Sequence, residues 1–173
     1  MAGWVALGFY MEEKLSHLDE TGNAQMVNVG KKAITRRRAI AQSIVNMNSR
    51  TLELLKNRNL PKGDALAFAK AGAILAAKRT PELIPLCHSL QLDFVDISFE
   101  IHDSPPHIRI LAESVCESKT GVEMEAIIAA QTAAAIIYDM CKAVQKDIVI
   151  TDVRLLFKEG GKSGIYRAAD FQE

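Results

Sequence analysis

Two residues near the end of a long apolar segment have the types and spacing that proton transfer requires. In the motif YDMCK, Asp139 and Lys142 are three residues apart, so a helix would bring both side chains to one face. On a solvated surface such a pair is a simple ion pair. In a cleft, burial and neighbouring charges can bring a lysine pKa toward neutrality, and the pair then works as general acid and base. Spacing alone leaves both interpretations open.

Three further acid/base groups lie elsewhere in the chain. Glu123 and Glu125 begin the same apolar segment, and His88 follows Pro85 in a short irregular stretch, where functional side chains are often found. Glu125 precedes Asp139 by 14 residues, which corresponds to about 21 Å of helix. If both ends are functional, either the ligand is long or two copies of the chain share a site.

Basic residues on separate predicted elements are candidates for an anion pocket. One lies in the middle of a run of three arginines, where strand alternation places it on the face opposite its neighbours. Another precedes a helix that Asp64 is placed to cap, and a helix N-terminus attracts anions. The segment GGKSG is not a P-loop, because Leu156 stands where that motif has its first glycine. Scattered surface cations would explain the same pattern. The four candidates are Arg37, Lys62, Lys158 and Lys162.

Bulk properties narrow the class of protein. A chain of 173 residues is typical of one domain with a real core. Lysine plus arginine equals aspartate plus glutamate at 21 each, so net charge gives no indication of nucleic acid or membrane binding. Three widely spaced cysteines are typical of reduced thiols in the cytoplasm and do not form a zinc motif. We expect residues 1–14 to be a flexible extension, too short to span a bilayer, and residues 15–173 to be one catalytic domain.

Apolar periodicity predicts an α+β fold. We expect a strand over 33–47, helices within 49–78, a hairpin over 90–117, a helix over 121–146 and a strand over 148–157. The apolar phase slips between Phe94 and Ile97, which suggests a bulge, and Ser49 is the expected cap of the first helix. This order is the ferredoxin-like βαββαβ arrangement, an antiparallel sheet with helices on one face. We expect the other sheet face to be packed in an oligomer.

Four stretches of the chain resemble one enzyme family. KGDALAFAKAGAILAAKRTPELIPLCHSL, SKTGVEMEA, YDMCKAVQKD and VRLLFKEGGKSG are similar to the cyclic pyranopterin monophosphate synthases, protein C of molybdenum cofactor biosynthesis. The resemblance covers about residues 15–169. It implies a ferredoxin-like subunit, a hexamer built as a trimer of dimers, and sites at subunit interfaces. It also implies a lyase that converts 3′,8-cyclo-7,8-dihydro-GTP into cyclic pyranopterin monophosphate and diphosphate.

The resemblance assigns roles to individual residues. YDMCK implies that Asp139 and Lys142 are the catalytic acid/base pair. Ser89 stands where the family usually has proline after the CH pair, which leaves the imidazole in place. The implied substrate contacts are Leu86, Cys87, His88, Glu123, Met124, Glu125, Lys62, Arg37, Lys158 and Lys162.

The implied partners are the small-molecule substrate and further copies of the chain, without nucleic acid or membrane. No resident cofactor or protein-bound metal is implied, and Mg²⁺ accompanying the substrate triphosphate is left open. Two other classes use this fold. An RNA-binding module would need exposed aromatic residues on the sheet, for which Phe94 and Phe99 are the candidates. A small-ligand regulatory module would not need an acid and a lysine on one helix face beside a phosphate loop.

Overall fold

One antiparallel sheet with helices on one face organises the chain. The computed structural model describes residues 21–162 and 164–172, so the predicted extension over 1–14 lies outside the described residues. The five strands have the order β2-β3-β1-β4-β5, which confirms the α+β ferredoxin-like arrangement and adds one edge strand. The elements are β1 (Thr35–Asn46), α1 (Ser49–Lys56), α2 (Ala65–Lys78), α3 (Thr80–Leu83), β2 (Phe94–Asp103), β3 (Pro106–Ser118), α4 (Glu123–Cys141), β4 (Val149–Glu159) and β5 (Tyr166–Arg167).

Strand β1 is central because it pairs on both sides. It runs antiparallel to β3 without interruption from Thr35–Ser118 to Asn46–His107, and antiparallel to β4 on its other edge. Its alternate residues Ala39, Ala41 and Val45 are fully buried under the helices. Period-two alternation therefore sends one set of β1 side chains into the main core and the other set to the open sheet face.

Alanine packing brings the two long helices close to each other and to the sheet. Gly72 of α2 marks the closest approach, because a Cβ built there would lie 2.2 Å from Cδ1 of Ile136 on α4. Small side chains exclude water while letting helix backbones approach closely. The buried small residues are Ala65, Ala69, Ala73 and Ala77 on α2, and Ala126, Ala129, Ala130, Ala133 and Ala134 on α4.

Helix α4 is long and apolar enough, by length and composition, to cross a membrane, and half of that stretch is buried inside the protein. It packs against α2, β1, β3 and β4. These contacts identify it as the central core helix of the fold.

The structure corrects several predicted boundaries. Helix α4 ends at Cys141, where the Lys142 N–H bonds to the Tyr138 carbonyl and a turn follows, so the helix predicted to 146 is too long. The region 49–78 holds two helices, as predicted, and Arg58 adopts φ +55° in the loop between them. Asn48 caps α1 instead of Ser49, through its side-chain oxygen to the Thr51 N–H. Asp64 caps α2 as predicted.

The predicted bulge in the first hairpin strand is wrong. Strand β2 pairs with β3 in continuous register, and the irregularities fall between β1 and β4 instead. The apparent slip arises because Phe94 is 49% exposed on the open sheet face, whereas Ile97 is buried under the helices. Residues 24–29 contain only an isolated bridge. The edge strand β5 was not foreseen.

The open sheet face is more polar than expected. Cross-strand pairs such as Arg38–Glu113 and Arg109–Glu100 occupy much of it, and the C-terminal segment covers a small apolar cluster through Ala168 and Phe171. Burial of this face in an oligomer remains a prediction.

Replacing Gly72 with valine is expected to destabilise the protein by about 1–3 kcal/mol, because the added carbons collide with Ile136 across a close helix contact. Urea unfolding monitored by circular dichroism measures the change. Ala71→Val is the matched control, since Ala71 is exposed on the same helix and bears only the helix-propensity cost of valine, below about 1 kcal/mol. Equal effects at both positions would contradict the packing argument.

Candidate functional site

Asp139 lies between two lysines at the C-terminal end of α4. Its Oδ1 is 2.7 Å from Lys142 Nζ and its Oδ2 is 2.6 Å from Lys62 Nζ. Lys62, which comes from the turn before α2, also donates to the Asp139 carbonyl at 3.1 Å. Three-residue spacing in the last helical turn brings Asp139 and Lys142 together, as the sequence predicts, and the third member comes from a different element. The cluster of Asp139, Lys142 and Lys62 therefore carries a net charge of +1.

The charges of this cluster stabilise one another. Hydrogen bonds from Lys142 and then from Lys62 lower the pKa of Asp139 to about 2, so it is a carboxylate at neutral pH. The same carboxylate raises the pKa of Lys142, which is the opposite of the shift toward neutrality that burial in a cleft would cause. About half of the side-chain surface of each is exposed. In the single chain, Lys142 is therefore an ammonium group.

A basic cavity of about 580 Å³ lies at the opposite end of α4. It is bounded by the loop before β1, the start of α4, and the β4–β5 connection. Of the predicted cations, Lys62 is absent from this cavity because it pairs with Asp139 instead. The described lining residues include seven cations and two acids, namely Lys31, Lys32, Arg37, Arg38, Lys119, Lys158, Lys162, Glu123 and Glu159.

Two contacts shape the wall of this cavity. Lys158 Nζ binds Glu123 Oε1 at 2.9 Å, linking β4 to the first turn of α4. Arg37 donates from Nε to the Ser118 carbonyl at 3.3 Å, and its guanidinium passes over Gly161, where a Cβ would come within 1.8 Å of Nη1. Gly161 has φ +74°, a conformation that favours glycine. The glycine pair in this loop thus makes room for Arg37.

Sequence reasoning missed three of the lining lysines, Lys31, Lys32 and Lys119. Lys119 lies four residues before the start of α4 and donates to the Gly30 carbonyl at 2.9 Å, so it connects the loop before β1 to the cavity. The available signal was its position beside the TGVEME motif, next to a helix N-terminus that collects backbone N–H groups.

A second cavity of about 380 Å³ adjoins the first. The two share four lining residues, Lys32, Thr120, Gly121 and Glu123. Six of the predicted substrate contacts line the second cavity, although they come from two distant parts of the sequence. These six are Leu86, Cys87, His88, Glu123, Met124 and Glu125.

The imidazole of His88 is held by the backbone. Its Nε2 lies 2.8 Å from the Val27 carbonyl, and because a carbonyl only accepts, Nε2 carries the proton. Ser89, which follows His88, is exposed.

Glu125 is a buried carboxyl group in the same cavity, with 3% of its surface exposed. Burial, helped by the nearby charge of Glu123, raises its pKa to about 7. A carboxyl group with that pKa can either donate or accept a proton near neutral pH.

The structure therefore separates the predicted constellation into two groups. His88, Glu123 and Glu125 meet at the start of α4, whereas Asp139 and Lys142 lie at its end. Glu123 and Asp139 are 16 residues apart, about 24 Å along the helix. No described group of three or more histidine, cysteine, aspartate or glutamate residues has the geometry to hold a metal ion.

Comparison with known proteins gives a consistent result. The MoaC family matches residues 26–161. The cyclic pyranopterin monophosphate synthase of Desulfovibrio desulfuricans is 59% identical over 163 residues, covering 94% of this chain and all of that protein. The enzyme of the same name from Nitratidesulfovibrio vulgaris is 60% identical over 153 residues, covering 88% and 95%. That from Pelotomaculum thermopropionicum is 49% identical over 152 residues, covering 88% and 89%.

The raised pKa of Glu125 predicts a pH dependence of stability. Because the folded state binds this proton more tightly than the unfolded chain, stability should fall as pH rises from 4.5 to about 7, by up to roughly 3 kcal/mol. Urea unfolding across this range is expected to show a flatter profile for Glu125→Gln than for the wild type. Glu82→Gln, at an exposed position, is the control. A Glu125→Gln profile parallel to the wild type would contradict the assignment.

Proposed function

The chain belongs to the MoaC family, and we propose that it catalyses the formation of cyclic pyranopterin monophosphate, the product for which its relatives are named. The substrate is 3′,8-cyclo-7,8-dihydro-GTP, the second product is diphosphate, and the step is a lyase reaction of molybdenum cofactor biosynthesis. The observation that carries the assignment of roles is the junction of a strongly basic cavity with a pocket containing His88 and Glu125.

The basic cavity binds the triphosphate. Its volume of about 580 Å³ lies within the usual range of ligand pockets, about 300–1,000 Å³. Arg37, Lys158 and Lys162 approach from different strands and loops, which lets several phosphate groups be neutralised together. The lysines missed in the sequence, Lys32 and Lys119, add to the same field. These charges also stabilise diphosphate as it leaves the α-phosphorus during formation of the cyclic phosphate.

The adjoining pocket binds the purine-derived ring system. It offers an apolar wall at Leu86 and Met124 and two proton carriers, His88 and Glu125. Opening the purine ring and rebuilding it as a pterin requires repeated proton transfers. A carboxyl group whose pKa is about 7 is suited to hydrogen bonding with ring nitrogens in either protonation state.

Lys142 is the principal acid/base and Asp139 orients it. In one subunit Lys142 is charged, because its carboxylate partner raises its pKa, and it can then act only as a proton donor. To accept a proton it needs a lowered pKa, and exclusion of water lowers the pKa of a lysine when a second subunit or the substrate covers this half-exposed cluster.

The site is completed by a second subunit. The two halves of the site lie about 24 Å apart along α4, too far for one pterin nucleotide to bridge within a subunit. Exposed apolar residues on the helix side, Phe68, Leu75 and Leu83, supply surface for association. We place the Asp139–Lys142–Lys62 cluster of one protomer against the two cavities of its partner, in a hexamer of three such dimers. The three free thiols are in keeping with a cytoplasmic location.

An RNA-binding module is the other candidate function, and the sheet disfavours it. Phe99 is packed against the main core and Phe157 is buried. Among the described phenylalanines of the sheet strands, Phe94 alone is exposed, whereas single-stranded RNA recognition needs several stacking positions. Product analysis after incubation with the cyclic dihydro-GTP substrate separates the two functions, since an RNA-binding module forms no cyclic pyranopterin monophosphate.

Lys142→Ala is expected to lower kcat by about 10²–10⁴-fold, because it removes the proton carrier, while the fold and oligomer persist. Steady-state kinetics and size-exclusion chromatography measure the two properties. Lys146→Ala is the control, since Lys146 is exposed beyond the end of α4 and should leave turnover near the wild-type rate. Near wild-type turnover in Lys142→Ala would contradict the assignment of Lys142 as the principal acid/base.

Mixing two inactive variants tests the shared site. Lys142→Ala and Lys158→Ala subunits, co-expressed with different tags and purified as mixed oligomers, should regain activity in about a quarter of the sites if each site draws on two protomers. A site contained in one subunit gives no recovery, and that outcome would contradict the interface arrangement.

A further inference from the structure

The C-terminal segment over 164–172 lies beyond the family match, which ends at residue 161. It nevertheless contacts β4, the strand that carries Lys158 of the basic cavity. Strand β5 pairs with β4 at Phe157–Arg167 and Lys158–Tyr166. The Ala168 N–H donates to the Leu156 carbonyl at 2.8 Å. The segment therefore binds the stretch of β4 that carries Lys158.

Two anchors hold this segment on the open sheet face. Arg154 donates two hydrogen bonds to the Asp170 carboxylate, at 3.0 and 2.5 Å, and this contact lowers the pKa of Asp170. Phe171 is 8% exposed and packs on Phe157, with ring centroids 6.4 Å apart. Arg167 lies over both rings, at 5.1 and 5.8 Å from their centroids.

The anchored residues and the phosphate-binding residue are neighbours on one strand. Phe157 belongs to the small cluster under the C-terminal segment, whereas the next residue, Lys158, extends to Glu123 on α4 at 2.9 Å. The connection that follows forms the cavity wall, and both Gly160 and Gly161 in it have positive φ. The C-terminal segment thus fixes both ends of the glycine loop. It continues the chain beyond the loop's C-terminal end, and it packs on Phe157, beside the loop's N-terminal end, from the open sheet face.

We propose that residues 164–172 form a positioning strap for the phosphate-binding cations, with Asp170 and Phe171 acting through Lys158 and the glycine loop. A glycine-rich loop loses much conformational entropy when it binds an anion. Fixing both of its ends beforehand lowers that cost and so raises affinity. This inference rests on the proposed function, because it takes the basic cavity to be the triphosphate site.

The strap is expected to affect binding more than folding. Its cluster of Ile40, Leu156, Phe157, Ala168 and Phe171 is separate from the main core. Asp170 keeps 64% of its side-chain surface exposed, and exposed ion pairs contribute little to global stability.

Asp170→Asn and Phe171→Ala test the strap. Isothermal titration with inorganic triphosphate should show an affinity loss of about threefold for Asp170→Asn, which breaks an exposed ion pair, and of about tenfold for Phe171→Ala. KM for the cyclic dihydro-GTP substrate should rise by a similar factor, with kcat within about twofold of the wild type. Asp103→Asn is the matched control, since it breaks a comparable exposed ion pair, with Lys56, at the opposite end of the sheet, and should change neither quantity.

A double-mutant cycle with Lys158→Ala distinguishes positioning from a general structural effect. If Asp170 acts through Lys158, Asp170→Asn should weaken triphosphate binding much less in the Lys158→Ala background than in the wild type. Equal losses in both backgrounds, or unchanged affinity in Asp170→Asn, would overturn the strap while leaving the proposed function standing. If the wild type itself fails to bind triphosphate, the phosphate role of the cavity and the strap are both refuted.

Discussion

Close packing of alanine faces between α2, α4 and the sheet is the constraint on which the other features depend. It holds α4 as a 19-residue helix whose charged side chains lie only near its ends. The basic cavity forms where this helix begins, against the loops around β1 and β4. The Asp139 cluster forms where the helix ends, against the turn before α2. The separation of the two halves follows from helix length, and it is the observation from which we propose a site shared by two subunits.

Much of the fold could be predicted from periodicity. The hairpin alternates clearly and the Ala-rich helix is long, so element types and order were correct. The errors have local causes that a one-dimensional pattern does not contain. Phe94 lies on the open sheet face, and its position shifted the apolar alternation in the way that a bulge would. The capping oxygen of α1 comes from Asn48 rather than Ser49. Strand β5 is two residues long and is held by tertiary contacts of Phe171 and Asp170, which leave no periodic signal.

The residue types of the candidate site could be predicted from the sequence, but not which of these residues lie together in space. Helical spacing brought Asp139 to Lys142, and the motif resemblance indicated His88 and Glu125. Spacing could not show that Lys62 joins the Asp139 cluster instead of the basic cavity, because that depends on how α2 packs on α4. Nor could it give the protonation of individual groups. Glu125 and Asp139 are carboxyl groups on one helix, yet burial raises the pKa of the first to about 7 and two lysines lower that of the second to about 2.

The balance of charge has a kinetic consequence. The chain has no formal net charge, so its field at long range is weak, yet the rim of the cavity concentrates lysines from three loops. At physiological salt the Debye length is about 8 Å, which is comparable to the reach of these side chains beyond the surface. A polyanion is then attracted only over the final approach, as it enters the mouth of the cavity. Ionic strength should therefore govern the rate of capture while hardly altering the stability of the subunit, whose core is made of alanine and aliphatic side chains.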